Sequence, residues 1–271
     1  MQTKTDMKKT DVLIFAGQSN MQGETGCQPT ENPPINNALE YRFLSDSLSP
    51  LMHPVGEDIG EGLLCKAKND CGNLVPYFCD EYVKNTGKNV VAVHTARFST
   101  KIEHWLKGCE RFDCMVEKIK SAIKKTEDNF EIDKIYLIWL QGETDATKGT
   151  SKSDYLERLT DFKNSLKQEF RLDKFCIIQV GYYCSIASWI KYANTQEGID
   201  RDHAIMDAQK TAESVDSDFV LLTEICKTLS KDKEYLNPRA EGHYNNTGQA
   251  LIGKTAGKQL ALLDKGGKNN E

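Results

Sequence analysis

A serine in the segment Gly17 to Met21 (GQSNM) stands directly after a short apolar run. Residues 12–16 are all apolar, which is typical of a strand that is buried on both faces of a sheet. A serine on a tight turn after such a strand exposes its hydroxyl, and its own backbone N–H faces the same point in space. Acyl-transfer chemistry uses both features. The alternative interpretation is a strand-to-helix turn in which Ser19 or Asn20 only caps the helix.

A serine nucleophile needs a base within hydrogen-bond reach and a group that orients the base. His243 is the best candidate for the base, because it lies in a loop between the last predicted strand and the last predicted helix, at the sheet edge that Ser19 also occupies. The alternative is a surface histidine near a helix N-terminus. The remaining histidines fall in predicted strands or helices or in a proline-bearing insertion: His53, His94, His104 and His203.

The composition is that of an ordinary soluble globular protein, with 271 residues, 39% hydrophobic and 28% charged, and a net charge of −5. This charge argues against nucleic acid as a partner, and no apolar run is long enough to cross a membrane. Residues 1–10 are polar and lysine-rich, unlike a signal peptide. Nine scattered cysteines favour reduced thiols in a cytoplasmic protein, and no cysteine or histidine spacing predicts a metal site.

Apolar runs and amphipathic segments alternate along the chain. The patterns predict strands over residues 12–16, 89–96, 135–140, 175–181 and 219–222, and helices over 74–85, 111–125, 153–169, 202–214 and from about 246. Right-handed crossovers then favour a three-layer α/β/α sandwich with a central parallel sheet. No linker or repeat interrupts the sequence, so we expect a single domain over residues 1–271 with a polar tail from about residue 265.

Two further segments belong to the same predicted sheet edge. The proline-bearing insertion, residues 23–72, follows the Ser19 turn and is a candidate wall of a pocket, with a possible edge strand at 39–43. The polar turn from Gln141 to Asp145 follows the strand at 135–140. Because the carboxyl ends of parallel strands share one edge, we expect this turn to lie near Ser19.

Three segments together resemble the SGNH-hydrolase superfamily: residues 17–21 (GQSNM), 139–145 (WLQGETD) and 242–248 (GHYNNTG). The resemblance spans residues 11 to about 256 and is strongest to the carbohydrate acetylesterases, the group of acetylxylan esterases and sialate O-acetylesterases. It implies a flavodoxin-like sheet, removal of acetyl groups from sugar hydroxyls through an acetyl-enzyme intermediate, and no cofactor. The implied substrate is a small-molecule or oligosaccharide acetyl ester.

The resemblance also implies roles for individual residues. Ser19 is the nucleophile and His243 the base. Many SGNH enzymes carry an aspartate three residues before the histidine, where this sequence has Ala240. The orienting acid is therefore expected to be Glu143, with Glu241 as the alternative.

The implied oxyanion hole consists of the backbone N–H groups of Ser19 and Ser99 and the side-chain amide of Gln141. Ser99 falls where related enzymes carry a glycine, so its backbone must adopt the required angles. Gln18 and Asn20 either contact the substrate or only fix the turn.

Two other functions remain open from the sequence. One is an SGNH carboxylesterase, lipase or thioesterase acting on other acyl groups, which needs an apolar groove. The other is a sugar-binding homologue without turnover, which the missing aspartate and glycine make worth testing. The sequence does not choose the sugar, the acetylated position or the oligomeric state.

Overall fold

The apolar runs form seven strands of one sheet in the computed structural model, which describes residues 9–29 and 31–266. The strands are β1 (Lys9–Gly17), β2 (Ala38–Arg42), β3 (Ser47–Pro50), β4 (Asn89–Ala96), β5 (Glu131–Leu140), β6 (Lys174–Ile178) and β7 (Phe219–Thr223). Their spatial order is β3-β2-β4-β1-β5-β6-β7. The strands predicted from the sequence are confirmed, although β6 ends three residues earlier than expected.

The helices in the described ranges are α1 (Ser19–Gln22), α2 (Val75–Thr86), α3 (Glu110–Glu127), α4 (Glu143–Lys148), α5 (Lys152–Glu169), α6 (Gln196–Val215), α7 (Ile225–Leu229) and α8 (Asn246–Gly266). All five predicted helices are present. The short helices α1, α4 and α7 are additional, because one or two turns give too little periodicity to detect. The part of the predicted polar tail beyond α8 lies outside the described residues. No helix in the described ranges is long and apolar enough to span a membrane.

The sheet is parallel except at one edge. β1 pairs in parallel with β4 on one side and with β5 on the other, whereas β3 runs antiparallel to β2. Only four residues separate β2 from β3, and a connection this short permits only an antiparallel return. The insertion at residues 23–72 therefore adds two edge strands to the sheet, where the sequence predicted one.

Helices cover both faces of the sheet. On one face, Phe15 of β1 meets Phe78 of α2 with ring centroids 5.2 Å apart. On the other, Trp139 of β5 packs against Phe162 of α5 at 5.0 Å. Residues 12–16 are completely buried, as a central strand between two helical layers requires. The predicted three-layer sandwich is confirmed.

A buried charge cluster closes the end of the sheet opposite to Ser19. The Nζ of Lys88, just before β4, lies 2.9 Å from Asp11, 2.9 Å from Asp133 and 2.8 Å from Asp264 of α8. The cluster thus joins the starts of β1, β4 and β5 to the C-terminal helix. A buried ammonium group needs such partners, since desolvating an unpaired charge is costly.

Candidate active site

The turn that carries Ser19 is fixed by the end of the sheet. The backbone N–H of Gln18 donates to the carbonyl of Leu140 at 3.1 Å. Gly17 has a φ of +150°, and a Cβ at this position would lie 2.0 Å from the Leu140 carbonyl oxygen, so only glycine fits. Ser19 is the first residue of α1, so its N–H lies outside the helical hydrogen-bond ladder.

Ser19 and His243 meet at this edge although 224 positions separate them. The Oγ of Ser19 lies 2.8 Å from Nε2 of His243, and both residues are buried. The other ring nitrogen, Nδ1, lies 3.1 Å from the main-chain carbonyl of Ala240. A carbonyl oxygen can only accept, so Nδ1 carries the proton and Nε2 is free to accept the proton of Ser19.

The geometry corrects the expected role of Glu143. Its carboxylate does not contact His243; the partner of Nδ1 is the carbonyl of Ala240, three residues earlier in the chain. Glu241 also points elsewhere, because its carboxylate accepts from the backbone N–H of Ser188 at 2.5 Å. A neutral carbonyl therefore orients the imidazole. The backbone N–H of His243 also donates to the Ala240 carbonyl, at 3.1 Å, and this tight turn places the carbonyl beside Nδ1.

Asn20 connects Glu143 to the histidine loop. Its Nδ2 donates to Oε1 of Glu143 at 2.8 Å and to the carbonyl of Gly242 at 3.4 Å. Its Oδ1 accepts from the backbone N–H of Tyr244 at 3.2 Å. Asn20 thus holds the backbone on both sides of His243, and Glu143 holds Asn20. Both polar atoms of this buried side chain are bonded within the protein, so Asn20 fixes the turn.

The environment of Glu143 is unusual for a carboxylate. The second oxygen, Oε2, is buried and has no hydrogen-bond partner among the described residues. Burial, with a smaller contribution from the nearby carboxylates of Asp202 and Asp145, raises the pKa of Glu143 from 4.5 to about 7, against the effect of the Asn20 hydrogen bond. The protonated form of this side chain is therefore favoured up to a higher pH than in an exposed glutamate.

The structure does not support the expected oxyanion role of Gln141. Its Nε2 donates to the Thr100 carbonyl and to Asp145, both at 2.7 Å, and its Oε1 accepts from the Tyr155 hydroxyl at 3.0 Å. The side chain is completely buried. Both amide hydrogens are used within the protein, so Gln141 holds the turn after β5 in place. Gln18 also belongs to this turn, because its Oε1 accepts from the backbone N–H of Thr144 at 3.2 Å.

Ser99 adopts the backbone conformation that its position requires. Its φ is +54°, in the left-handed region that favours glycine. A serine holds this conformation at a modest cost in strain. Two neighbours hold the segment: Gln22 accepts from the N–H of Phe98 at 2.7 Å, and Asp145 accepts from the N–H of Ile102 at 2.9 Å.

Aromatic side chains line the other side of the histidine. The Tyr183 ring meets the His243 ring edge to face at 5.5 Å, and Trp189 meets Tyr183 in the same way at 5.9 Å. Trp189 is 64% exposed. Gly242 has a φ of +81°, and a Cβ at this position would lie 2.4 Å from the Tyr183 ring. The Tyr183 ring therefore packs directly against the backbone of the histidine loop. Sequence patterns did not single out either aromatic residue.

The insertion contributes a carboxylate that the sequence did not reveal. Oε2 of Glu24 lies 3.5 Å from Nε2 of His243, and Oε1 of Glu24 pairs with the Nζ of Lys68. A cleft of about 420 Å³ adjoins this pair. We call it the basic cleft; residues lining it include Glu24, Lys68, Asn69, Asn237, Arg239 and Ala240. The insertion, which the sequence predicted to form one wall of a pocket, supplies most of the residues that line this cleft, but no pattern marked Glu24.

Fold and site together define an SGNH hydrolase, a three-layer α/β/α protein with a serine and a histidine at the carboxyl edge of its sheet. Residues 9–260 match the family described as carbohydrate esterase, sialic acid-specific acetylesterase. The chain belongs to this family.

Solved structures agree on the fold. A protein from Arabidopsis thaliana aligns with 20% identity over 94% of this chain and 98% of its own, at a TM-score of 0.61. A carbohydrate acetylesterase from Xanthomonas citri aligns with 16% identity over 93% of this chain and 55% of its own, at a TM-score of 0.56. A comparison with curated protein sequences finds no match.

Proposed function

We propose that this protein is a serine esterase that removes O-acetyl groups from carbohydrates through an acetyl-enzyme intermediate. The observation that carries the proposal is the 2.8 Å contact between Oγ of Ser19 and Nε2 of His243. The Ala240 carbonyl selects the tautomer in which Nε2 accepts, which is the state a general base needs. Membership of a carbohydrate esterase family supports the acetyl ester as substrate.

The chemistry runs in two steps. Oγ of Ser19 attacks the acetyl carbonyl carbon while its proton moves to Nε2 of His243, and the resulting oxyanion accepts from the backbone N–H groups of Ser19 and Ser99. His243 then gives the proton to the departing sugar oxygen, which leaves Ser19 acetylated. In the second step His243 takes a proton from water, the water oxygen attacks the acetyl carbon, and acetate leaves as the proton returns to Ser19.

The basic cleft favours an acidic sugar over a neutral one. Lys68 and Arg239 bring two positive charges to it, and Glu24 brings one negative charge, already paired with Lys68. Arg239 is exposed, and among the described residues its guanidinium group donates only to the Gly26 carbonyl, at 3.3 Å, so it has further donors for a ligand carboxylate. O-acetylated sialic acid, which carries a carboxylate, is therefore the substrate we propose ahead of acetylated xylan.

Acetate release from a panel of sugars tests this function. The panel contains O-acetyl sialic acid, acetylated hexoses and acetylated xylo-oligosaccharides, with Ser19→Ala as the inactive control. We expect the highest kcat/KM for O-acetyl sialic acid and a selective loss of that preference in Arg239→Met. Equal kcat/KM values for acidic and neutral sugars would remove the proposed role of the basic cleft.

Chain-length dependence separates the remaining functions. An acetylesterase hydrolyses 4-nitrophenyl acetate far faster than the butyrate and longer esters, whereas a lipase or thioesterase prefers the longer acyl chains. A folded protein that hydrolyses none of these esters and none of the sugars would be a binding protein, and the proposal would be wrong.

A further inference from the structure

Among the described residues, Glu24 has the carboxylate that lies within 4.0 Å of the imidazole of the proposed base. Its Oε2 lies 3.5 Å from Nε2 of His243, the nitrogen that exchanges the proton with Ser19. We propose that Glu24 is a further catalytic residue, which balances the positive charge of His243 when the imidazole is protonated. This inference rests on the proposed function of Ser19 and His243.

The position of Glu24 is set by the same residue that supports the histidine. Nδ2 of Asn237 donates to the main-chain carbonyl of Glu24 at 2.7 Å, and the backbone N–H of Asn237 donates to the carbonyl of His243, also at 2.7 Å. One asparagine thus joins the loop after α1 to the histidine loop. The carboxylate itself is held by Lys68, which pairs with the oxygen turned away from the imidazole. Glu24 therefore does not depend on a bound ligand for its orientation.

Other charged groups around His243 are less well placed. Glu143 reaches the histidine loop only through Asn20, and Glu241 on the loop itself is bonded to a backbone N–H. The Nδ1 side of the ring faces a neutral carbonyl. Tyr183, which packs on the ring, stays neutral because burial raises the pKa of its hydroxyl. Lys68 is the cation on this side, and it acts against protonation of the ring.

A carboxylate at this position assists both steps, because His243 is protonated during each of them. When Oγ attacks, the Oγ–H bond breaks and the proton moves to Nε2, which creates an imidazolium beside the Glu24 carboxylate. That proton leaves on the sugar oxygen, and a proton from water replaces it in the second step. Glu24 keeps its negative charge throughout and exchanges no proton. It lowers the energy of the imidazolium in each transition state by Coulomb attraction.

Glu24 and Lys68 have opposite effects on the pKa of His243. Burial lowers the pKa of His243, the charge of Glu24 raises it, and the charge of Lys68 lowers it. Removing the Glu24 charge should therefore make the imidazole less basic, and removing the Lys68 charge should make it more basic.

The pH dependence of kcat/KM for 4-nitrophenyl acetate tests the inference in Glu24→Gln and Lys68→Met. For Glu24→Gln we expect the midpoint of the acidic limb to fall by about one pH unit and the plateau to fall about tenfold, as one pKa unit corresponds to a tenfold change. For Lys68→Met we expect the midpoint to rise. Glu241→Gln is the matched control, because it removes a carboxylate from the same site that does not reach the ring. An unchanged midpoint and plateau in Glu24→Gln would overturn the inference.

A titration without substrate keeps this outcome separate from the proposed function. The NMR signals of the His243 imidazole give its pKa in the folded wild-type protein and in each variant. Opposite shifts in Glu24→Gln and Lys68→Met support the charge-balancing role even if no ester is hydrolysed, in which case the proposed function alone fails. Ester hydrolysis with no shift of the His243 pKa in Glu24→Gln would leave the esterase intact and refute the role of Glu24.

Discussion

Nδ2 of Asn20 donates to Oε1 of Glu143 across 2.8 Å, and the same asparagine bonds to the backbone on both sides of His243. The residue that follows the proposed nucleophile therefore sets the distance between serine and base. Glu143 acts on the histidine through Asn20 and not on the imidazole directly.

Asn20→Ala should lower kcat more than Glu143→Gln does. Without Asn20 the histidine loop loses two hydrogen bonds to its backbone, and a displacement of about 1 Å at the reacting atoms costs on the order of 10²-fold in rate. Glu143→Gln keeps an oxygen that accepts from Asn20, so kcat should change only a few-fold. The measurement is steady-state hydrolysis of 4-nitrophenyl acetate. A loss of about 10⁴-fold in Glu143→Gln, the size expected when an acid orients the histidine directly, would contradict this arrangement.

Glu143→Gln should stabilise the protein at alkaline pH and not at acidic pH. Burial raises the pKa of Glu143 from 4.5 to about 7, so the folded state holds this proton more tightly than the unfolded state does. The stabilising contribution is complete below pH 4.5 and is lost as the pH rises through about 7. The glutamine cannot ionise. The free energy of unfolding of the Glu143→Gln variant should therefore exceed that of the wild type by up to about 3 kcal/mol at pH 8. The difference should vanish near pH 4.

Denaturant unfolding at several pH values measures that difference. Glu241→Gln serves as the control, because its carboxylate is exposed and should show no comparable rise with pH. If the difference between Glu143→Gln and wild type were the same at every pH, Glu143 would not be the group that titrates.

Much of the fold could be predicted because strands and long helices leave strong periodic signals. The apolar run before Ser19 and the helical faces of α2, α3 and α5 follow directly from residue spacing. The short helices and the antiparallel β3 leave too few residues for a pattern. The meeting of Ser19 and His243 could also be predicted, since strand order brings loop residues to one edge.

The hydrogen-bond partners of the residues around Ser19 and His243 could not be predicted, because they depend on the positions of side-chain polar atoms and not on the spacing of residues along the chain. Gln141 and Glu143 lie at the expected turn, yet their polar atoms bond to neighbours that no sequence spacing indicates. Ala240 acts through its carbonyl oxygen, which every residue type possesses. Glu24 approaches His243 because Asn237 joins two loops that are distant in the sequence. A connection of this kind produces no periodic pattern in the sequence.

Trp189→Ala should weaken the binding of sugar substrates and leave simple esters unaffected. The indole is 64% exposed and packs against Tyr183, which contacts the His243 ring, so it offers an apolar face beside the reacting atoms. We expect KM for an acetylated sugar to rise about tenfold with little change in kcat, and both constants for 4-nitrophenyl acetate to stay as in the wild type. A parallel loss with both substrates would indicate that Trp189 supports the histidine loop and does not bind sugar.

Lys88→Met should destabilise the protein without altering its chemistry. The ammonium group is in contact with three carboxylates, of Asp11, Asp133 and Asp264, and removing it leaves these three neighbouring carboxylates without the cation that balances their charge. Breaking a buried ion pair from one side typically costs about 3–5 kcal/mol. Urea unfolding should reveal a loss of this order, while kcat of the folded fraction stays normal because the cluster lies at the opposite end of the sheet. Lys120→Met, which breaks an exposed pair with Glu169, is the control and should change stability little.

The central claim, that Ser19 is acetylated during turnover, is tested most directly by acid quenching followed by peptide mass spectrometry. With excess 4-nitrophenyl acetate, formation of the acyl-enzyme is fast relative to its hydrolysis, so the intermediate should accumulate. We predict that the peptide containing Ser19 gains the mass of one acetyl group, that fragmentation places the group on Ser19, and that Ser19→Ala shows neither the adduct nor turnover. Release of acetate by a protein whose Ser19 stays unmodified, or an acetyl group carried by another residue, would contradict the account.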